Sequence, residues 1–164
     1  MARWSVNQPT WTPVAVADTT NFISAGYMAL QGGSATQRIN LLEVFMGGQA
    51  GSTSSPCIMM VARDSTIGVT LSVGRFASLD PATAALAAPP VSFNTATTEP
   101  QRSSTLSLLN LSFNAFGGLV RWVYAPGEEV GMLGNTASFG ELSLSAFTGG
   151  TPGLLGSHFI VEPF

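Results

Sequence analysis

"STLSLLNLSFN", residues 104–114, reads as a β-strand with one fault in it. Leu109, Leu111 and Phe113 alternate with Asn110, Ser112 and Asn114. Alternation with a period of two sends apolar side chains to one face of a sheet and polar ones to the other. The doubled Leu108-Leu109 changes the phase. That predicts a bulge, where one extra residue is fitted into the ladder.

The same pattern extends outward in both directions. Strands are expected over 22–31, 38–46, 57–63, 68–74, 119–125, 128–133, 139–147 and 158–164. "CIMMVAR" (57–63) is apolar on both faces, which suits a central strand and a buried, inert Cys57. In 68–74, Val69, Leu71 and Val73 alternate with Thr70 and Ser72. Turn residues separate the runs: Gly32-Gly33, Gly47-Gly48, Gly117-Gly118, Gly134-Asn135 and the glycine-rich stretch 148–156.

Residues 76–104 break the rhythm. "DPATAALA" predicts one short helix with Asp80 as cap and Pro81 in the first turn. Pro89-Pro90 ends it, and a long polar loop follows. About nine short strands with hardly any helix imply an all-β fold, an antiparallel two-sheet sandwich that is jelly-roll-like. Residues 21–164 are expected to form this single domain.

Residues 1–20 hold Pro9 and Pro13 and show no clear period, so they are expected to form an extended N-terminal arm. Trp4 and Trp11 lie on it. Two indoles on an arm need somewhere to be buried, either on the body or on a neighbouring subunit; both are expected to be interface anchors against a neighbouring subunit or the surface of a larger assembly.

Composition narrows the classes of function. Charged residues make up 9% of the 164, against about 25% in an ordinary globular domain. All six cations are arginines, and they are scattered singly, which argues against a nucleic-acid partner. The net charge is −3. So few charges favour a surface hidden in an assembly. Neither the N-terminus nor the stretch 82–91 reads as a signal peptide or a bilayer span, so no membrane partner is expected, with synthesis in the host cytoplasm.

Residues for chemistry are few. Glu128 and Glu129 are adjacent carboxylates in "YAPGEEVGML" (124–133). Pro126-Gly127 before them carries the signature of a type II turn, which predicts a hairpin joining 119–125 to 128–133. Neighbours in a strand point to opposite faces and cannot flank one substrate atom. The stretch is similar in shape to the turn of cupins, but the metal-ligating histidines are missing. One histidine, His158, and one cysteine give no metal set and no triad. His158 is expected to be an ordinary hydrogen-bonded residue, with no catalytic, cofactor-binding or metal-binding residues in the chain.

The stretches "ALAAPPVSF", "LSFNAFGGLVRW", "APGEEVGMLGNTASFGELSLSAFTGG" and "SHFIVEPF" resemble a family of small proteins of tailed bacteriophages and prophages. The likeness runs more weakly through "GYMALQGG" and "LLEVFMGG". It implies a virion protein similar to capsid decoration, or cement, proteins, which are β-sandwich trimers bound to the major capsid protein. A non-enzymatic homotrimer without cofactor, located in the virion, follows as the expectation. A tail, baseplate or fibre knob contacting a host glycan is the alternative.

Overall fold

The computed structural model describes residues 2–12, 20–22, 26–49, 56–71, 75–114, 116–136, 140–148 and 154–164. The end of the expected strand at 72–74 and the glycine-rich stretch at 149–153 lie outside the described residues. Within them run thirteen strands. They are β1 Trp4–Trp11, β2 Tyr27–Gln31, β3 Arg38–Gly48, β4 Pro56–Thr66, β5 Val69–Leu71, β6 Arg75–Ser78, β7 Val91–Phe93, β8 Ala96–Thr98, β9 Gln101–Asn114, β10 Leu119–Val123, β11 Val130–Leu133, β12 Glu141–Thr148 and β13 Leu155–Pro163.

Their pairing is nested. The first strand pairs with the last, β1 with β13. Inside that pair, β2 joins β12, β3 joins β10 and β11, and β4 joins β9. All of these ladders are antiparallel. Folding such a nested set over itself gives one sheet ordered β10-β3-β13-β1-β6 and another ordered β7-β2-β12-β4-β9. This is a jelly roll. The segment between β4 and β9 adds β6 and β7 as outer strands and a small β5–β8 sheet.

The alternating faces meet in one core. Ile39, Leu41, Val44 and Met46 from β3 pack with Phe159 and Val161 from β13. Met28, Leu30, Met59, Val61, Leu142 and Leu144 face them from the second sheet. Cys57 is buried in this core on β4, as expected.

The bulge falls where the doubled leucine placed it. Val61 opposes Leu109 and Ala62 opposes Ser107, so Leu108 is the extra residue. Leu109, Leu111 and Phe113 pack against the core from the resulting strand.

The arm is the main correction. Residues 4–11 form a strand bonded on both sides, to β13 and to β6. Trp4 and Trp11 are 7% and 2% exposed and belong to the core. Trp4 stacks on Phe76 with ring centroids 4.6 Å apart, and Trp11 Nε1 donates to Ser157 Oγ over 2.9 Å. The period is present only over Trp4–Asn7, where Trp4 and Val6 are buried and Ser5 and Asn7 are half-buried; beyond Gln8 the register with β13 shifts and the alternation fails. The partner of Asn7 is His158, far along the chain.

Residues 76–104 hold no helix among the described residues. Asp80 does cap a turn, accepting from Ala82 N at 2.9 Å, but a single turn closes there. The expected long polar loop holds β7, β8 and the start of β9, and β6 precedes the turn at Asp80.

Candidate functional site

Two places gather side chains whose chemistry exceeds what the fold needs. One is a buried polar row across the second sheet. The other is the flank where β9 and β10 form the edges of the two sheets.

The row arises from register. Gln31 opposes Glu141, and Asp64 opposes Arg102. Gln31, Glu141, Asp64 and Arg102 thus come from β2, β12, β4 and β9, which are neighbours in that order. All four are buried, with Glu141 and Asp64 at 0% exposure. Buried carboxylates are rare because leaving water costs several kcal/mol unless they are paired. Glu141 Oε2 accepts from Gln31 Nε2 and from Gly68 N, each at 3.0 Å. Asp64 Oδ1 accepts from Ser143 Oγ at 2.5 Å.

That leaves Asp64 Oδ2 and Glu141 Oε1 without a hydrogen-bond partner of their own. The two carboxyl groups face each other across adjacent strands, and two buried carboxyls so close are best accommodated with one proton between them. Burial pushes Glu141 up to about 7. It pushes Asp64 well above the carboxylate range, reinforced by the charge of Glu141 and opposed by Ser143 and Arg102. Close by, Tyr27 donates to Glu99. Burial first, and then Glu99, raise its phenol.

This row escapes sequence reading. The four residues are spread from 31 to 141, and only the ladder brings them into line. Among the described residues no group of three or more His, Cys, Asp or Glu is arranged to hold a metal.

On the flank, β9 is the edge of one sheet and β10 the edge of the other. An edge strand offers unpaired N–H and C=O groups to another chain. Leu119, Trp122 and Val123 on β10 are 67%, 41% and 55% exposed, and Phe116 in the preceding turn is 50% exposed. Trp122 meets Tyr124 edge-on at 6.5 Å. The Tyr124 ring packs against the core, yet its hydroxyl is buried without a hydrogen-bond partner. Burial raises that phenol to about 12.

The expected hairpin at Pro126-Gly127 is half right. Glu128 N bonds to Ala125 O at 2.9 Å and Gly127 has φ +89°, as a type II turn requires. The strands it joins do not pair with each other. Both lie along β3, β10 opposite Glu43–Gly47 and β11 opposite Arg38–Leu41. The turn is an excursion from one edge, made at Leu42, whose carbonyl accepts from Tyr124 N. Glu129 accepts from Gly127 N, and Glu128 is exposed.

His158 sits within β13 and shares a 2.9 Å hydrogen bond with Ser5 Oγ. It stacks on Phe45, and the Arg121 guanidinium lies over the same Phe45 ring, 5.1 Å from its centroid. Burial lowers His158 and Glu43 partly offsets this.

No helix among the described residues is long and apolar enough to cross a membrane. No protein-family model matches the chain. No curated protein matches it either. Among solved structures, a full particle of Israeli acute paralysis virus aligns at 7% identity and TM-score 0.30, over 97% of this chain and 68% of that one. A virus-like particle of the nodavirus of the prawn Macrobrachium rosenbergii aligns at 14% and 0.27, over 96% and 90%. A marine algae virus of the order Picornavirales aligns at 9% and 0.21, over 98% and 68%. Overlaps this loose carry no inference; the jelly-roll assignment rests on the nested strand pairing.

Proposed function

We propose that this chain is a structural protein of a virus particle, and that it decorates a phage capsid as a cement protein. The observation that carries this reading is the β9–β10 flank. It exposes Leu119, Trp122 and Val123 on an edge strand and buries the Tyr124 hydroxyl without a partner. Trp and Tyr are enriched among residues that dominate interfaces, and charged residues are depleted there. The shortage of charge across the whole chain agrees with this. The likeness of the second half to small phage virion proteins supports the finer assignment, and the partner would be the major capsid protein. A homotrimer is part of the same proposal.

The role moves from Trp4 and Trp11, which this chain buries itself, to Trp122. The test is the double variant Trp122→Ser, Val123→Ser, mixed with particles stripped of the native chain. The variant should keep its melting temperature and lose at least about tenfold in affinity for particles, since truncated hot-spot residues cost roughly 2 kcal/mol or more. Undiminished retention on particles would overturn the assignment of this flank. Light scattering on the free chain reads the oligomeric state directly.

A further inference from the structure

Of the six arginines scattered singly along the sequence, two are brought to one cavity by the fold. Arg38, at the start of β3, and Arg63, near the end of β4, line one cavity of about 300 Å³ with Gly131, Met132 and Leu133 of β11. We propose that this cavity is a binding site for a compact oxyanion, a phosphate or carboxylate group held between the two guanidiniums.

Three observations carry it. First, neither arginine has a carboxylate within ion-pair distance among the described residues, whereas Arg121 has Glu43. Arg63 is nevertheless half-buried, and burial alone disfavours its charge. A guanidinium withdrawn from water without an acid is unfavourable unless an anion arrives from outside. The adjacent acid, Asp64, does not serve it: Asp64 turns to the other face of the strand, bonded to Ser143 and Glu141.

Second, the wall is shaped around Arg38. Gly131 opposes Asn40, and a Cβ at residue 131 would lie 3.7 Å from an Arg38 terminal nitrogen and 4.0 Å from its Nε. Those are ordinary van der Waals distances, so the Arg38 guanidinium lies directly against β11 at Gly131. Its other side meets the Phe164 ring, 6.0 Å from the centroid. Flanked by these two neighbours, the planar fork loses less freedom on binding than an unsupported side chain would.

Third, the size selects the ligand. A cavity of this volume stands at the lower limit of small-molecule sites. It admits a phosphate, a small carboxylate or one acidic side chain. Two guanidinium forks match planar or tetrahedral oxyanions through paired N–H donors.

The probe is inorganic phosphate, titrated into the intact chain with sodium chloride adjusted to hold ionic strength constant. Thermal unfolding and oligomeric state are measured together, for the native chain and for Arg38→Gln, Arg63→Gln and Arg63→Lys. Phosphate at about ten times its Kd should raise the native midpoint by roughly 4 °C. Arg38→Gln, on an exposed residue, should fold normally and lose most of that rise. Arg63→Lys should lose part of it, because a point charge replaces a fork. If phosphate stabilises the chain with no change of mass, the occupant is a free anion. If it dissociates an oligomer while both variants weaken that oligomer, the occupant is an acidic side chain of a second copy. Equal responses of the native chain and both glutamine variants, or a native response no larger than to chloride, would overturn the site. Binding to particles through the β10 flank is a separate readout, so failure here leaves that reading standing or falling by itself.

Discussion

Glu141 lies one residue along β12 from the Leu142–Arg63 pair, which sets it directly across from Asp64 on β4. Two fully buried carboxyl groups in adjacent strands can both be accommodated only if they share a proton. Gln31 and Gly68 hold one end of the pair, Ser143 the other, with the Arg102 charge beside it.

A pH dependence follows, with a definite sign. The folded-state value of Glu141, about 7, lies above the ordinary value of 4.5. A raised value means the folded state holds the proton more tightly than the unfolded chain. The contribution is full below about pH 4.5 and is lost as pH rises through about 7. Its size is on the order of 3 kcal/mol. Glu141→Gln should flatten this slope, since an amide can accept from Gln31 and Gly68 and donate to Asp64. Urea unfolding at intervals from pH 4.5 to 8 measures it. A native chain more stable at pH 8 than at pH 5 would rule the shared proton out.

The first strand is indispensable to the sandwich. Removing residues 2–11 leaves β13 and β6 without the strand between them. We expect the truncated chain to show no cooperative melting transition. Trp11→Ala should cost about 3–5 kcal/mol, the usual range for emptying a core of an aromatic. A truncated chain that melts sharply near the native temperature would restore the independent arm.

Tyr124 separates folding from binding. Its hydroxyl is buried without a partner, so Tyr124→Phe should leave the isolated chain as stable as before, or more stable by about 1 kcal/mol. If a partner supplies the missing hydrogen bond, the same variant should bind more weakly. Calorimetry on the free chain and a binding titration against particles give the two numbers. Loss of stability in the free chain would show that the hydroxyl is already satisfied.

Two glycines that share a positive φ should respond differently. Gly127 has φ +89° and open space where a Cβ would be. Gly127→Ala should cost about 1–2 kcal/mol, the strain of the left-handed region alone. Gly134 has φ +74°, and a Cβ there would stand 2.3 Å from the Ala35 carbonyl oxygen. Gly134→Ala must move backbone as well and should be clearly the worse of the two by chemical denaturation. Equal costs would mean the 134–136 turn relaxes freely.

What the sequence determined by itself was local. Strand period came through where one face is buried and the other polar, as in residues 104–114, and the doubled leucine marked the bulge at Leu108. The Pro126-Gly127 turn was legible because φ preferences belong to the two residues themselves. An apolar run around Cys57 was enough to place it inside. Pairing was decided only by the tertiary structure, because hydrogen bonds between strands carry no trace in spacing along the chain. That is why residues 4–11 proved to be a strand, Asn7 finding His158, and why the turn at Pro126 joined two pieces of one edge instead of a hairpin. It is also why Asp64 met Glu141 and Arg38 met Arg63: each pair is assembled by strands that are distant in sequence and close only after the sheets have formed.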